Sequence, residues 1–170
     1  AKAAVDKSLQ YAYRDRKAKK RTGLGRFAHE AAAFSNAVAG QPLAVYMGDD
    51  ARNEYIYKWV STAAWSAADA NAADALAVGD KYLDSGKLYV ARFKADGTGE
   101  WVELNINNAQ IKGYAGYAFA DQADVCVNAR IAADAVGATK MDRPEWCSVN
   151  PANGATYYTP TTHSNRSVNP

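Results

Sequence analysis

The sequence predicts a mainly β fold with helical insertions. Six short segments are rich in the aromatic and β-branched residues that favour strands, namely 43–47, 55–60, 87–93, 101–104, 146–149 and 156–159. Turn sequences join two pairs of these segments into hairpins: Asp96-Gly97 lies between the third and fourth, and residues 150–154 lie between the last two. Hairpins spaced in this way are typical of a β-sandwich or of β-propeller blades, and composition does not choose between the two.

Two other segments predict helix. Residues 62–79 are rich in alanine, which has the highest helix propensity, but they have no stripe of larger apolar side chains. We therefore expect a weakly helical surface insertion there. Residues 120–136 place Val125, Ala129 and Ala132 at helical spacing, and Gly137 is suited to end that helix in the left-handed conformation.

Length and charge limit the class of protein. The 170 residues are typical of one domain, and the net charge of +2 is too small to make nucleic acid or an anionic membrane the main partner. No apolar run approaches the roughly 20 residues of a transmembrane helix.

Residues 1–22 form a polar, basic lead-in, which we interpret as a solvated segment rather than as a binding site for phosphates or an acidic partner. The first residues have no signal-peptide pattern, so we expect a cytosolic chain, a processed chain or a piece of a longer one.

Two clusters of acidic residues are candidate metal sites. The pair His29-Glu30 follows Phe27, and a histidine beside a carboxylate can support a metal ion. A second cluster, with three carboxylates on a turn between two predicted strands, offers the oxygen ligands that a hard cation takes: Asp49, Asp50 and Glu54. The alternatives are an ordinary exposed glutamate for the first cluster and a solvated acidic turn for the second.

A third cluster combines a guanidinium with a carboxylate. Pro144 is expected to hold Arg143 in an extended conformation, in which Arg143 and Glu145 project to the same side. A guanidinium beside a metal-bound carboxylate suits a phosphoryl group, because the planar fork of the guanidinium can bind two phosphate oxygens. The alternative is an internal Arg–Glu ion pair. We interpret Cys126 and Cys147 as buried structural thiols, and their spacing leaves open whether they pair.

Taken in order along the chain, these clusters resemble the PhoX family of secreted bacterial alkaline phosphatases. The most specific runs are Glu-Tyr-Ile-Tyr-Lys at 54–58 and Met-Asp-Arg-Pro-Glu at 141–145. The resemblance extends over residues 24–166, and its segments are 24–32, 48–61, 86–93, 96–101 and 132–146.

The resemblance implies a fold, an activity and a site. It implies a six-bladed β-propeller of which residues 1–170 are a segment, and a phosphomonoesterase that binds iron and calcium and is exported to the periplasm or beyond. By position, Glu30 and Asp49 resemble metal ligands, Glu145 a calcium ligand, and Arg143 the arginine that binds the phosphate of a monoester substrate. Three neighbouring residues are further candidates for the metal or its surroundings: His29, Asp50 and Glu54.

The chain departs from the family pattern in two places. The iron-binding cysteine of the family lies upstream of the segment at 24–30 in a context that nothing here matches, and the Thr-Asn-Asn run after the last hairpin is replaced by Thr161-Thr162-His163. We therefore expect another chain or a missing segment to complete the propeller, with activity only in the completed protein. The alternative function is a non-catalytic calcium-binding propeller module that serves as a structural or surface-assembly subunit.

Overall fold

The largest element of the structure is a five-stranded antiparallel sheet. The computed structural model describes residues 18–161. Its first six strands are β1 (His29–Phe34), β2 (Pro42–Asp49), β3 (Arg52–Glu54), β4 (Ile56–Ala64), β5 (Gly86–Phe93) and β6 (Gly99–Glu103). The sheet has the order β1-β2-β4-β5-β6, and short β3 lies in the connection between β2 and β4. Apart from β3, strands that follow one another in the chain are neighbours in this sheet, so the sheet is a meander.

Two small antiparallel sheets complete the β structure. Strand β3 pairs with β7 (Met141–Asp142), and β8 (Pro144–Val149) pairs with β9 (Thr156–Pro160). Strand β8 also packs against β1 and β2 of the large sheet. Arg143 lies between β7 and β8, at the point where the chain leaves one small sheet for the other.

Four short α-helices lie between strands, one between β4 and β5 and three between β6 and β7. They are α1 (Ala75–Leu83), α2 (Ala109–Lys112), α3 (Gln122–Val127) and α4 (Ala129–Ala135), and 3-10 turns occupy Thr22–Leu24 and Ala67–Asn71. Side-chain oxygens of Asp74, Asn108 and Asp121 accept backbone N–H groups at the starts of α1, α2 and α3. These caps satisfy donors that have no partner within a helix, so the sequence marks each start.

The core lies between one face of the large sheet and helices α2, α3 and α4. Alternate residues along the central strands point to this face, as the period of two in a strand requires. The sheet and the helices contribute side chains that are almost completely buried, among them Met47, Tyr57, Val90, Ile111, Val125 and Ala132. The alanines at 129, 132 and 133 of α4 are completely buried in this core, and Arg130 of the same helix bonds Asp49 at the end of β2.

All six predicted strands are present, and so are both predicted hairpins. Gly97 has φ of +82° in the first hairpin turn, and Gly137 has φ of +64° after α4, as predicted for both glycines. A mainly β fold with antiparallel sheets is therefore confirmed. The sheets do not close into a ring within residues 18–161.

Both helical predictions need correction. Residues 62–64 of the predicted insertion continue β4, and regular helix begins only at Ala75. The predicted helix over 120–136 is two helices that divide at Asn128. A further alanine run, at 31–33, lies in β1, because pairing of Phe34 with Val45 and of its neighbours with β2 outweighs the helix propensity of three alanines.

The basic lead-in is described only in part, since residues 1–17 lie outside the described range. Of the remainder, Lys19 and Arg21 form ion pairs with Asp80 of α1 and with Asp84, the residue that follows the helix. The end of the lead-in is thus bound to the C-terminal end of α1. No helix within residues 18–161 is long and apolar enough to cross a membrane.

Candidate active site

The first feature of the site is an ion pair between the buried Asp49, the last residue of β2, and Arg130 of α4. Arg130 Nε donates to Asp49 Oδ2 at 2.7 Å, and its Nη2 donates to Oδ1 at 2.6 Å. The Ala28 N–H also donates to Asp49 Oδ1, at 3.1 Å. Asp49 is completely buried, whereas the Arg130 side chain is 40% exposed. The hydrogen bonds to the Asp49 carboxylate raise the pKa of Arg130 above its usual value.

A second ion pair joins the next residue, Asp50, to Arg143. Arg143 Nη2 lies 2.9 Å from Asp50 Oδ1 and 3.1 Å from Oδ2, and it is 3.6 Å from Glu145 Oε1. The Glu145 oxygen accepts a hydrogen bond from the Thr161 hydroxyl at 2.7 Å. The Arg143 side chain remains 39% exposed. The guanidinium is therefore held from one side and open on another.

The backbone of Arg143 differs from the prediction. Its φ is +52°, in the left-handed region, and not the extended conformation expected before Pro144. The chain bends here because β7 and β8 pair with different partners, which requires a sharp change of direction between them. The predicted approach of Arg143 to Glu145 is nevertheless present, at 3.6 Å.

Gly48 makes this arrangement possible. A Cβ placed at Gly48 would lie 2.0 Å from the carbonyl oxygen of Pro144, far inside any allowed contact. Only glycine lets the Pro144 backbone lie against the end of β2. That close approach brings Arg143 beside Asp50.

Glu54 and Tyr57 add buried polar atoms next to the Asp49–Arg130 pair. Glu54 Oε2 is 3.6 Å from Arg130 Nε, and neither this oxygen nor the Tyr57 hydroxyl has a hydrogen-bond partner within residues 18–161. Burial raises the pKa of Glu54 to about 7, against the opposing charge of Arg130. Burial also raises the pKa of Tyr57, and the negative charges of Asp49 and Glu54 raise it further.

His29 and Glu30 begin β1 opposite the end of β2. His29 pairs with Asp49 across the strands, and its ring stacks on Phe27 at 3.7 Å between centroids. His29 Nε2 lies 3.0 Å from the Gly25 carbonyl oxygen, which can only accept, so this nitrogen carries the proton. Glu30 is exposed, and no hydrogen bond or ion pair from residues 18–161 engages its carboxylate.

The predicted metal ligands do not form a metal centre by themselves. No group of three or more His, Cys, Asp or Glu side chains in the described part of the chain could hold a metal ion. Glu30 and Glu145 have oxygens available, whereas Asp49 is occupied by Arg130 and Ala28. The donors present are therefore too few for a hard cation, which takes six or more oxygens.

The two cysteines are unpaired. Cys147 is buried, with Sγ 3.2 Å from the Tyr46 carbonyl oxygen, and Cys126 is half-buried beside Gln122. Burial raises the pKa of both thiols, which disfavours the thiolate that a nucleophile or a metal ligand requires. Both therefore behave as structural thiols, as the sequence predicts.

Arg130 is the site residue that the sequence analysis missed. It is the one Lys or Arg in the segment 120–136, where alanines and Ile131 surround it. A lone cation beside alanines that pack in the core lies at the edge of that core, where a carboxylate can pair with it. That pattern is the signal that could have identified it.

The family comparison and the structure comparison both identify PhoX. The chain matches the family described as "Alkaline phosphatase PhoX" over residues 10–170. It also matches the solved structure of Pseudomonas fluorescens PhoX in complex with vanadate, a transition state analogue, with 44% identity and a TM-score of 0.71. That match covers 86% of this chain and 25% of the PhoX chain, so this chain spans about a quarter of that protein. No curated protein gives a significant match. With its family matched over almost its whole length, the chain belongs to the PhoX family of alkaline phosphatases.

Proposed function

We propose that this chain is part of a metal-dependent phosphomonoesterase and supplies its phosphate-binding arginine. The proposal rests on the contacts and the exposure of Arg143 in a PhoX-family chain. Asp50 and Glu145 hold its guanidinium, and 39% of the side chain remains exposed. A fully enclosed internal ion pair would leave no face of the guanidinium open to a phosphoryl group, whereas Arg143 keeps one. The non-catalytic alternative therefore gains no support from Arg143.

Arg143 binds the phosphoryl group of the monoester in this proposal. A guanidinium carries five N–H donors, and the hydrogen bond to Asp50 and the approach to Glu145 both involve Nη2. The other donors can bind two phosphoryl oxygens side by side and stabilise the charge that develops during transfer. Asp50 limits the motion of the guanidinium, so less freedom is lost when the phosphoryl group binds.

The metals proposed for the whole protein are calcium and iron. Metal ions supply charge that polarises phosphoryl oxygens and lowers the pKa of a bound oxygen nucleophile. Within this chain, Glu30 and Glu145 are the proposed ligands, because their carboxylates have oxygens available. His29 and Glu54 are proposed as neighbours of the metal site rather than as ligands. The further donors must come from outside residues 18–161.

The proposed setting is a six-bladed β-propeller in the periplasm or outside the cell, completed by polypeptide beyond this segment. Several large apolar side chains on the described sheets are exposed, and we expect the complete propeller to cover them. Trp146 and Tyr157 are each 60% exposed, and Phe34 and Phe93 are each 50% exposed. A further segment or chain packed on these faces would bury them.

The test measures hydrolysis of p-nitrophenyl phosphate by the intact protein or assembly that contains these residues. We expect Arg143→Ala to lower kcat/KM by about 100-fold or more, since loss of one positioned electrostatic donor costs that much in other enzymes. Arg143→Lys should restore part of it, because a lysine keeps the charge but loses the fork. Lys112→Ala, which removes an exposed cation on α2, is the matched control. Full activity in Arg143→Ala would refute the role.

A further inference from the structure

We propose that Asp49 is not a metal ligand but the buried anchor of Arg130, and that this pair positions the phosphate-binding arm. The proposal rests on the proposed function for the identity of that arm. It replaces the role that the family resemblance implies for Asp49 by one that its contacts support.

The occupancy of the Asp49 carboxylate supports the first half of the proposal. A carboxylate has about four lone-pair sites, and three of them face the N–H groups of Arg130 Nε, Arg130 Nη2 and Ala28. Asp49 has no exposed surface from which another ligand could approach.

The backbone around Asp49 supports the second half. The Asp49 carboxylate accepts the Ala28 N–H, and the Asp50 N–H donates to the Ala28 carbonyl oxygen at 2.9 Å. The Ala51 N–H donates to the Asp49 carbonyl oxygen at 2.7 Å. Asp49 therefore ties the start of β1, two residues before Glu30, to the turn that carries Asp50.

Arg130 acts on Arg143 through this turn. Arg130 fixes Asp49 from α4, and the adjacent Asp50 fixes Arg143 from the other side of the same turn. Two neighbouring aspartates thus each hold one arginine from a distant element. Arg130 is a positioning residue, because its described contacts are with Asp49 and Glu54 rather than with Arg143.

The test uses the intact protein with the variants Asp49→Asn, Arg130→Met, Arg130→Lys and the double variant Asp49→Asn/Arg130→Met. Three quantities are measured: calcium and iron per polypeptide, the inhibition constant of vanadate, and the unfolding temperature. The double variant is included because Asp49→Asn alone leaves a guanidinium without its partner and can fail to fold.

We expect the metal content to be unchanged in Asp49→Asn and in the double variant. We expect Arg130→Met to raise the inhibition constant of vanadate about tenfold, because a small displacement of a binding group is costly. Arg130→Lys should recover part of that affinity. The unfolding temperature of the double variant should be no lower than that of the less stable single variant, because the two residues act as one pair.

Arg92→Met is the matched control for a purely structural arginine. Arg92 likewise bonds an acidic side chain, Glu100, and the carbonyl oxygen of Val136 after α4. It should lower the unfolding temperature and leave the inhibition constant of vanadate unchanged. An equal change in that constant for Arg92→Met and Arg130→Met would overturn the positioning role.

Loss of metal in Asp49→Asn, with metal retained in Arg130→Met, would overturn the proposal. Failure of the proposed function is a separate result. If Glu30→Gln and Glu145→Gln both keep full metal content, the proposed ligands are wrong, whereas the metal content and unfolding of the Asp49 variants still decide the role of Asp49. If the intact protein hydrolyses no phosphate monoester, the metal content and the unfolding temperature of the Asp49 variants still decide the role of Asp49.

Discussion

Asp50 and Arg143 lie 93 positions apart in the chain, and their charged groups meet at 2.9 Å. Asp50 follows the end of β2, whereas Arg143 lies between β7 and β8. The contact depends on Gly48, which lets the Pro144 backbone approach β2. The residue proposed to bind phosphate is therefore positioned by tertiary structure rather than by its own strand.

Asp50→Asn should weaken phosphate binding by the intact protein. The amide keeps the size of the side chain but loses the charge that holds Arg143, so we expect the inhibition constant of inorganic phosphate to rise about tenfold. Asp96→Asn, in an exposed hairpin turn, is the control and should bind phosphate as the unchanged protein does. Unchanged binding in Asp50→Asn would show that Arg143 does not depend on this pair.

Gly48→Ala should destabilise the protein and lower its activity. The new Cβ would meet the Pro144 carbonyl oxygen at 2.0 Å, so the backbone must shift, at a cost of about 1–3 kcal/mol or more in the free energy of unfolding. Gly40→Ala is the control, since φ there is +80° but no atom lies within 4 Å, and it should cost only about 1 kcal/mol. Denaturant unfolding measures both, and equal losses would contradict the close approach.

Glu54 should make stability fall as the pH rises. Its pKa is raised by burial to about 7 in the folded protein, above the ordinary value of 4.5 that applies when unfolded. The folded state therefore favours the protonated carboxyl, and the stabilisation is fully present below about pH 4.5 and is lost as pH rises through about 7. The full shift corresponds to on the order of 3 kcal/mol, and solvent at the exposed part of the side chain reduces the loss below that figure.

Glu54→Gln tests this pH dependence, because the amide stays neutral at every pH. The variant should unfold at a higher temperature than the unchanged protein at pH 8, with a smaller difference at pH 5. Glu103→Gln, which lies far along the sheet in contact with Lys87, is the comparison variant. A lower unfolding temperature for Glu54→Gln at pH 8 would mean that a positive group outside residues 18–161 binds the Glu54 carboxylate.

Metal analysis of the intact protein, with any companion chains, should find both iron and calcium. Removal of the metals by chelation should abolish hydrolysis, because the metal ions supply the positive charge that polarises the phosphoryl oxygens. Return of both ions should restore it. Calcium without iron, or neither metal, would favour a propeller kept for structure or binding.

Much of the local structure could be predicted from the sequence. Strands β4 and β5 follow from their aromatic and β-branched residues, and the hairpin at Gly97 follows from a turn that needs positive φ. These features depend on residues close together in the chain. The runs at 54–58 and 141–145 also indicate the family directly, because they are specific in residue type and order.

Other features were decided by contacts between distant segments. The three alanines of β1 are a strand because β2 provides partners for their backbone groups, which local propensity cannot anticipate. The left-handed Arg143 follows from a bend between two sheets, against the preference of a residue before proline. Neither outcome can be derived from the neighbouring residues alone.

Some features of the candidate site likewise follow from the sequence, and others depend on contacts between distant segments. The sequence by itself determined which charged residues are available, including Asp49, Asp50 and Arg143, because their chemical character does not depend on the fold. Only the tertiary structure decided that Arg130, 81 positions after Asp49, occupies that carboxylate, and that Asp50 holds Arg143. The physical reason is that a buried charge must find its partner wherever the packing of helix on sheet brings one within hydrogen-bond distance.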